Sequence, residues 1–425
     1  MSRNTLNRSI GLGGAILLGL GSILGTGVFV SLGLAVGAAS QWAIAALATA
    51  ALLASLNALS SAQLAANHPV SGGTYAYGYR YLNPHLGFVA GTAFLLAKSA
   101  SAGAAAIGLV SYAASWLGLT GLPINMLASL AILAMTLLVA GGLRRASLIN
   151  TLLVGLTLMA LLALGFAAFG SPPSEAALTA WEPLAPRALF EAAALLFVAF
   201  TGYGRIATLG EEVTVPRRTI PRAIIATLFV STSLYALTLL ASLRTLGPEV
   251  MAQATRNTAA PLQAVAAHLQ SGWLQPLIAI AAGAAMAGVL LNLILGLSRV
   301  AFAMGRQRDL PSTLGQLSAS GEPLRAIWAV GSFIALIAFF GGFAAVWSFS
   351  AFTVLIYYAI TNLAALQLSD EERLYPKSLS AAGLVVCLGL AVWISPPVLL
   401  TGSAILVAAL GLRTVLKSGS STPST

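Results

Sequence analysis

The chain has 425 residues, of which 58% are hydrophobic and only 8% are charged, against roughly 25% charged residues in a soluble domain. A soluble protein of this length would lack a polar surface, so the composition predicts an all-α integral membrane protein. The formal net charge of +10 does not indicate nucleic-acid binding, because the basic residues are scattered between apolar spans. The single cysteine, Cys387, excludes a disulfide framework within the chain.

Twelve segments are apolar over the about 20 residues that a helix needs to cross ~30 Å of hydrocarbon. With the N-terminus inside, sixteen Lys and Arg residues fall on the cytoplasmic side and three outside. This positive-inside asymmetry predicts a multi-pass protein of the cell (plasma or inner) membrane with both termini in the cytoplasm. The predicted spans are 10–36, 41–64, 86–117, 123–141, 148–170, 188–207, 222–243, 273–304, 324–341, 344–368, 377–394 and 397–416.

Two of these spans are interrupted by glycine near their middles, at corresponding places in two halves of the chain. Residues 21–29 read Gly-Ser-Ile-Leu-Gly-Thr-Gly-Val-Phe, and residues 200–204 read Phe-Thr-Gly-Tyr-Gly. An unwound stretch in a bilayer survives only where protein, water or a ligand satisfies its backbone N–H and C=O groups. Such a pair predicts a substrate site. The alternative is that the glycines only allow close helix packing.

Several chemistries have no motif here. The sequence has no Gly-x-x-x-x-Gly-Lys-Ser/Thr loop for ATP phosphates. Its three histidines, His68, His85 and His268, lie near span ends or in loops, and no His, Cys and carboxylate cluster has metal-ligand spacing. The predicted spans contain no set of acid and base groups, which argues against an enzyme. We therefore expect no metal and no cofactor.

Four motifs, in order along the chain, resemble those of the amino acid–polyamine–organocation (APC) superfamily of permeases. Residues 21–29 resemble the first-helix signature, and 69–77 resemble the Pro-x-Ser-Gly-Gly-x-Tyr loop after the second helix. Residues 197–203 with 211–222 resemble the sixth helix and the loop behind it. Residues 298–304, followed by Asp309-Leu310-Pro311, are similar to the end of the eighth helix.

The resemblance implies a LeuT-type fold, a transporter architecture that is built from inverted repeats. It implies an inverted repeat of five plus five helices in residues 1–170 and 171–370, two further helices in 371–416, and a tail, 417–425, whose Ser/Thr-rich composition predicts disorder. It also implies a secondary active transporter of amino acids that works by alternating access. The expected partners are an amino acid, the lipid bilayer and protons, with no nucleic acid or partner chain.

Carried over position by position, the resemblance assigns a binding site to the two interruptions. A helix N-terminus suits a carboxylate, and unwound carbonyls suit an ammonium, so a zwitterion matches both. Gly25 and Gly27 lack a Cβ, so we expect a ligand to approach their amides closely. The amides near Gly25, Thr26 and Gly27 are expected to hold the carboxylate, and the carbonyls near Ile23, Val198, Ala199 and Thr201 the amine.

Two side chains at these interruptions keep alternative roles. The hydroxyl of Thr26 is expected to add a contact to the ligand, although a membrane Thr often bonds its own helix. Phe200, beside Gly202, is either a gate over the ligand or a packing residue.

The sequence departs from the family in three places. Gly204 stands where carriers of cationic substrates often have an acidic residue, so a cationic substrate is not expected. Thr157 stands where many relatives have a lysine, which leaves Thr157 and Lys98 as coupling candidates. Ala287 and Gly288 align with the hydroxyl pair of sodium-coupled relatives, so we do not expect coupling to sodium.

Lys98 lies about 18 Å along the third predicted span at 1.5 Å per residue, near mid-membrane. A charge at that depth is a functional hypothesis by default. It could carry a proton, or it could contact an acidic substrate, because 98–101 with Tyr112 resembles the third helix of the heteromeric transporters. A structural lysine that donates to helix-end carbonyls is the third reading.

Arg205, Glu211 and Glu212 are predicted to form an ion pair that closes the cytoplasmic side, or to be ordinary solvated charges. The residues 100–108 and 279–288 are almost all small, and Val198 replaces a bulky aromatic of relatives. We therefore predict a proton-coupled or exchanging permease for neutral, apolar amino acids. The alternatives are an acidic amino acid exchanger that uses Lys98, and a channel or receptor built on the same fold.

Overall fold

The computed structural model describes residues 10–68, 73–142, 147–178, 183–207, 213–318 and 321–418, and within these ranges the chain is helical nearly throughout and has no strand. The α-helices of these ranges are α1 (Leu12–Ile23), α2 (Leu32–Ala39), α3 (Ala43–Asn67), α4 (Thr74–Tyr81), α5 (Pro84–Trp116), α6 (Ile124–Ala140), α7 (Ser147–Gly170), α8 (Pro186–Phe200), α9 (Gly204–Ala207), α10 (Pro216–Thr258), α11 (Pro261–His268), α12 (Leu274–Arg306), α13 (Leu324–Phe340), α14 (Phe343–Leu366), α15 (Lys377–Ala391) and α16 (Pro396–Ser418).

Eight helical segments in the described ranges are long and apolar enough to cross a membrane. One of them runs through α2 and α3, and the others are α5, most of α7, α8 with α9, α10, α12, α14 and most of α16. Four shorter apolar helices, α1, α6, α13 and α15, accompany them. These helices make the chain a multi-pass membrane protein, as the composition predicts.

The central helix of the bundle is α5, against which α12 and α14 pack. Its middle, residues 99–108, is a run of Ala, Ser and Gly with Ile107, and every one of these residues is buried. Small side chains let neighbouring helices approach closely, which matters in a bilayer, where lipid removes the hydrophobic driving force between helices. The long buried α5 therefore forms a wall on which other helices can be positioned.

Helix α10 runs beyond the predicted span and is broken at Gly247, whose φ of 71° and ψ of 169° are not helical. A Cβ at this residue would lie 2.5 Å from the carbonyl oxygen of Ala176, so the break needs a glycine. The residues after it, predicted as a connection, form the end of α10 and then α11. This segment packs back onto the bundle, because a Cβ at Gly33 of α2 would lie 1.9 Å from Thr255 Oγ1.

A buried ion pair ties α16 to the end of α12. Arg413 Nε donates to Asp309 Oδ1 over 2.9 Å, and these side chains are 4% and 0% exposed. The hydroxyls of Tyr75 and Tyr79, both on α4, also donate to Asp309. The short helix α4 is thereby held against α12 and α16, at the end of α12 that carries Arg306.

Candidate functional site

Both glycine-rich interruptions are breaks in helices. Helix α1 ends at Ile23, Leu24 has extended backbone, and the helix resumes at Thr26 with a π-helical turn, Gly27–Ser31. Helix α8 ends at Phe200 and is followed by a 3₁₀ turn, Thr201–Tyr203, before α9. Each break leaves a helix C-terminus and a new helix N-terminus in the interior of the bundle.

The two breaks lie against each other, backbone to backbone. A Cβ at Gly202 would be 2.3 Å from the carbonyl oxygen of Ser22, and a Cβ at Gly27 would be 2.6 Å from Cβ of Ala199. Contacts this close leave no room for a side chain, so glycine is required at both positions. The glycines that predicted the pair of breaks therefore also allow the two breaks to pack this closely.

The packing around Gly25 and Gly27 gives a reason for the missing Cβ that differs from the close approach of a ligand expected from the sequence. The missing Cβ of Gly25 points at the side chain of Val289, 2.7 Å away, and that of Gly27 at Ala199 and the hydroxyl of Tyr235. The space that these glycines leave is filled by protein and not by the approach of a ligand. The packing alternative is thus favoured for their side-chain positions, while their amide groups remain candidates for binding.

The resumed helix after Gly25 presents polar groups toward the interior. The first N–H groups of a helix have no acceptor within that helix, and here they belong to Thr26 and Gly27, which line the cavity described below, and to Gly25, which does not. Oγ1 of Thr26 is buried and has no hydrogen-bond partner in the described ranges. Donors without partners in an apolar interior are costly, so an acceptor such as a carboxylate would be stabilised there.

The carbonyls at the end of α8 accept hydrogen bonds from side chains. The Trp347 indole Nε1 donates to the oxygen of Leu195 over 2.9 Å, and Thr201 Oγ1 donates to that of Val198 over 2.7 Å. Of these two, Val198 is among the last four residues of α8, whose carbonyls a helix C-terminus otherwise leaves open, whereas Leu195 lies one turn earlier. The oxygen of Val198 also accepts from the backbone N–H of Thr201, so both of its lone pairs are engaged, and an ammonium group there would replace one of these donors.

Tyr235 of α10 joins the ends of both broken helices. Its hydroxyl lies 2.9 Å from the carbonyl oxygen of Ile23 and 3.1 Å from that of Ala199, and it donates its one proton between them. The ring is fully buried and packs on Phe200, with ring centroids 5.0 Å apart. Ile23 and Ala199 are two of the residues predicted to hold an amine, so Tyr235 fixes their carbonyls in one orientation.

A cavity of about 240 Å³ lies at the crossing of the two breaks, about eight times the ~30 Å³ that a water molecule occupies in the liquid. Its exposed residues Arg205 and Arg299 mark the mouth, on the side that the charge asymmetry predicts to be cytoplasmic. The lining consists of Ser22, Ile23, Thr26, Gly27, Gly73, Phe94, Lys98, Ser101, Val198, Ala199, Thr201, Gly202, Gly204, Arg205, Val289, Asn292, Leu293, Gly296, Arg299, Val300, Trp347, Tyr357 and Tyr358.

Lys98 reaches this cavity from α5 and contacts the second break. Its Nζ donates to Thr201 Oγ1 over 2.7 Å, and that hydroxyl donates in turn to the Val198 carbonyl. Within the described ranges the cavity is lined by the cations of Lys98, Arg205 and Arg299 and by no carboxylate. The charged side chains of the described lining are therefore all basic.

Three predicted residues lie away from the cavity lining. Phe200 is fully buried against Tyr235, a placement that favours packing over gating. Gly25 lies behind its neighbours, against Val289. Thr157 is buried in α7, where its hydroxyl donates to its own helix at Leu153, as a membrane threonine often does.

The predicted cytoplasmic gate is only partly described. Arg205 lines the cavity mouth, whereas Glu211 and Glu212 lie outside the described residues. The proposed ion pair therefore stays a prediction.

Several residues at this site were not predicted from the sequence, and three of them carry polar groups that matter for its geometry. Tyr235, Asn292 and Trp347 are polar or amphipathic side chains in otherwise apolar segments, which was the available signal. Asn292 lines the cavity from α12. The prediction for this helix considered only its small residues, 279–288. Tyr235 was missed because a tyrosine in an apolar segment fits a packing role equally well.

A bundle of membrane-length helices that encloses a cavity at two broken helices has the architecture of a membrane transporter. The family profile described as "Amino acid permease" matches residues 14–421. The chain therefore belongs to the amino acid permease family.

Named relatives agree with this assignment. An uncharacterized transporter of Mycobacterium tuberculosis is 38% identical over 416 residues, which cover 97% of this chain and 92% of the relative. The branched-chain amino acid permease BcaP of Bacillus subtilis is 28% identical over 91% of this chain and 86% of its own length. Cationic amino acid transporter 9 of Arabidopsis thaliana is 28% identical over 74% of this chain and 58% of its own. These proteins are transporters and not enzymes.

Proposed function

We propose that this protein is a secondary active transporter of neutral, apolar amino acids, which it holds at the two helix breaks and moves by alternating access. The observation that carries the proposal is the cavity at the crossing, which is lined by Thr26 and Gly27 at the start of one helix and by Val198 and Ala199 at the end of another. A zwitterion places its carboxylate on the N–H groups and its ammonium on the carbonyls.

The preference for an apolar side chain rests on the rest of the lining. Phe94, Val289, Leu293, Val300 and the Trp347 ring supply apolar surface, and a pocket of this kind favours a ligand with an apolar group. The similarity to the branched-chain amino acid permease of Bacillus subtilis supports the same substrate class. The three cations of the lining oppose a cationic side chain, as Gly204 in place of an acidic residue already suggested.

The architecture that we propose has twelve membrane helices, arranged as an inverted repeat of five plus five with two more at the C-terminal end. In this arrangement α1 to α7 form the first repeat and α8 to α14 the second, and α15 and α16 follow. Both termini lie in the cytoplasm of a cell membrane. The matching positions of the two breaks in the two repeats support this reading.

An acidic amino acid exchanger is the second candidate, because Lys98 lines the cavity and could bind a second carboxylate. A channel or receptor with the same helices is the third. Reconstitution in liposomes separates them. A carrier gives saturable, stereoselective counterflow of one labelled amino acid against a panel of unlabelled ones, whereas a channel gives flux without counterflow. We expect leucine-like substrates to drive counterflow more strongly than glutamate or lysine. Counterflow driven best by glutamate would favour the exchanger, and none with any amino acid would contradict the proposal.

A further inference from the structure

Lys98 stands two hydrogen bonds away from the carbonyls proposed to hold the substrate ammonium. Its Nζ lies 2.7 Å from Thr201 Oγ1, which lies 2.7 Å from the oxygen of Val198. The hydroxyl spends its only proton on Val198, so the lysine is the donor to Thr201. A protonated Lys98 therefore places a positive charge beside the amine site when that site is empty.

A substrate ammonium and a protonated Lys98 would repel each other across the Thr201 hydroxyl. In the proposed pose the carboxylate lies on the N–H groups near Thr26 and Gly27 and the ammonium is the charge nearer to Lys98, so the carboxylate offsets the repulsion only in part. Within the described ranges no carboxylate lines the cavity, and Lys98 has no ion pair there. Like charges in a site of low dielectric interact more strongly than in water.

The other polar and charged groups that face this site do not offset the repulsion. Arg205 follows the second break, Arg299 belongs to α12, and Tyr357 and Tyr358 lie on α14. The two arginines stay protonated at any experimental pH, so they do not titrate in place of Lys98. The side chains that α1 contributes to the cavity, such as Ser22 and Ile23, are uncharged. Among the described residues of the lining, Lys98 is thus the group whose charge can be removed to admit an ammonium.

We propose that proton and substrate bind to this carrier in mutually exclusive fashion, with Lys98 as the proton site, so that transport is amino acid–proton antiport. The proposal rests on the proposed function and specifies its coupling. Substrate that enters from one side displaces a proton from Lys98 Nζ to water on that side. After the substrate leaves on the other side, Nζ takes a proton from water there. The protonated, empty carrier then returns and carries that proton in the opposite direction.

Mutually exclusive binding has a quantitative signature. At pH values where Lys98 is mostly protonated, the dissociation constant of a leucine-like substrate should rise about tenfold for each unit by which the pH falls. Binding should release close to one proton per substrate. Calorimetry of the purified protein in buffers of different ionisation enthalpy measures both quantities. A dissociation constant that is independent of pH, or proton uptake on binding, would overturn the proposal.

Two variants at Lys98 separate charge from structure. Lys98→Gln keeps a donor for Thr201 without charge, so it should bind substrate at acid pH at least tenfold more tightly than the natural protein and release no proton. Lys98→Arg is permanently charged and should bind more weakly at all pH values, also without proton release. His268→Gln, far from the cavity, should keep the natural pH slope. A natural pH slope in Lys98→Gln would assign the proton to another group and reject the proposal.

The direction of the driving gradient is the second test, and it needs no variant. In proteoliposomes with an acidic lumen, antiport makes the labelled amino acid accumulate inside as protons leave, whatever the orientation of the carrier. An acidic exterior should empty preloaded vesicles. Accumulation driven by an acidic exterior would mean symport and would overturn the proposal. The absence of all counterflow would instead contradict the proposed function, so the two failures can be told apart.

Discussion

The hydroxyl of Tyr235 lies 2.9 Å from the carbonyl oxygen of Ile23, the last residue of α1. The same hydroxyl also reaches the carbonyl of Ala199, near the end of α8, so a single side chain from α10 joins both broken helices. Carbonyls at a helix end that face the membrane interior need donors. Tyr235 supplies one before any substrate arrives, and it fixes where those carbonyls point.

Removing only this hydroxyl tests whether it positions the amine site. In Tyr235→Phe the ring still packs on Phe200, but the two carbonyls lose their shared donor. The loss of one hydrogen bond, about 1–1.5 kcal/mol, should weaken substrate binding roughly five- to tenfold. Equilibrium binding of a labelled amino acid measures the change. Tyr77→Phe is the matched control, because the Tyr77 hydroxyl is buried without a partner in the described ranges. Equal affinity in both variants would remove Tyr235 from the site.

The glycines at the crossing make a second prediction. A Cβ at Gly27 would meet Ala199 at 2.6 Å, and one at Gly202 would meet the Ser22 carbonyl at 2.3 Å, so backbone must move. Gly27→Ala and Gly202→Ala should each lower stability by about 1–3 kcal/mol, the usual cost of overpacking. Gly296 also lines the cavity but has nothing within 4 Å of its Cβ direction. Thermal unfolding in detergent should show Gly296→Ala unchanged, and equal melting of all three variants would contradict the packing role.

The positions of the helix breaks were predictable, whereas the way they are held was not. Glycine in an apolar segment signals a break or close packing because few other residues permit either in a bilayer. The family resemblance gave the order of the elements, and the membrane class followed from composition alone. The residue that packs against a glycine cannot be read from the segment that contains the glycine. The contacts of Gly27 with Ala199 and of Gly202 with Ser22 were therefore not predictable.

For Lys98 the sequence predicts a functional role but not the contacts of the side chain. Its depth marked it as functional, because charge in a bilayer is expensive. Its contact with Thr201 joins residues 103 positions apart in sequence, and no local pattern encodes such a pairing. The bonds from Tyr235 and Trp347 to backbone carbonyls are equally hidden, since a carbonyl belongs to every residue type. Side chains that bind backbone at long range are the part of the site that the sequence leaves open.

Transport should not depend on sodium. Ala287 and Gly288 supply no side-chain oxygen where sodium-coupled relatives have a hydroxyl pair, and a hard cation needs oxygen ligands. The neighbouring Val289 also fills the space beside Gly25 with a methyl group. Replacing choline by sodium at constant pH should leave the initial rate of uptake in proteoliposomes unchanged. A steep rise with sodium concentration would show that the backbone carbonyls alone suffice to bind the ion.

The buried pair of Asp309 and Arg413 should be a main support of the predicted cytoplasmic end of the bundle. Asp309→Asn leaves the guanidinium of Arg413 buried and uncompensated, which should cost about 3–5 kcal/mol, whereas replacing both by apolar residues should cost less. Thermal unfolding of Asp309→Asn and of the double variant Asp309→Leu, Arg413→Met measures the difference. If the single variant melts no lower than the double variant, the pair contributes no specific stabilisation.

The same cluster, through Tyr79, should make the protein less stable at alkaline pH. Burial, and then the hydrogen bond to Asp309, raise the pKa of Tyr79 to about 12, above the ordinary value of about 10 for an unfolded chain. A pKa raised by folding stabilises the protein fully below the unfolded value, and this contribution is lost as the pH rises through the folded one. The melting temperature of the natural protein should therefore fall between about pH 10 and 12. In Tyr79→Phe, which has no hydroxyl to ionise, the fall over that interval should be smaller. An identical alkaline decline in both proteins would place the limiting ionisation elsewhere in the chain.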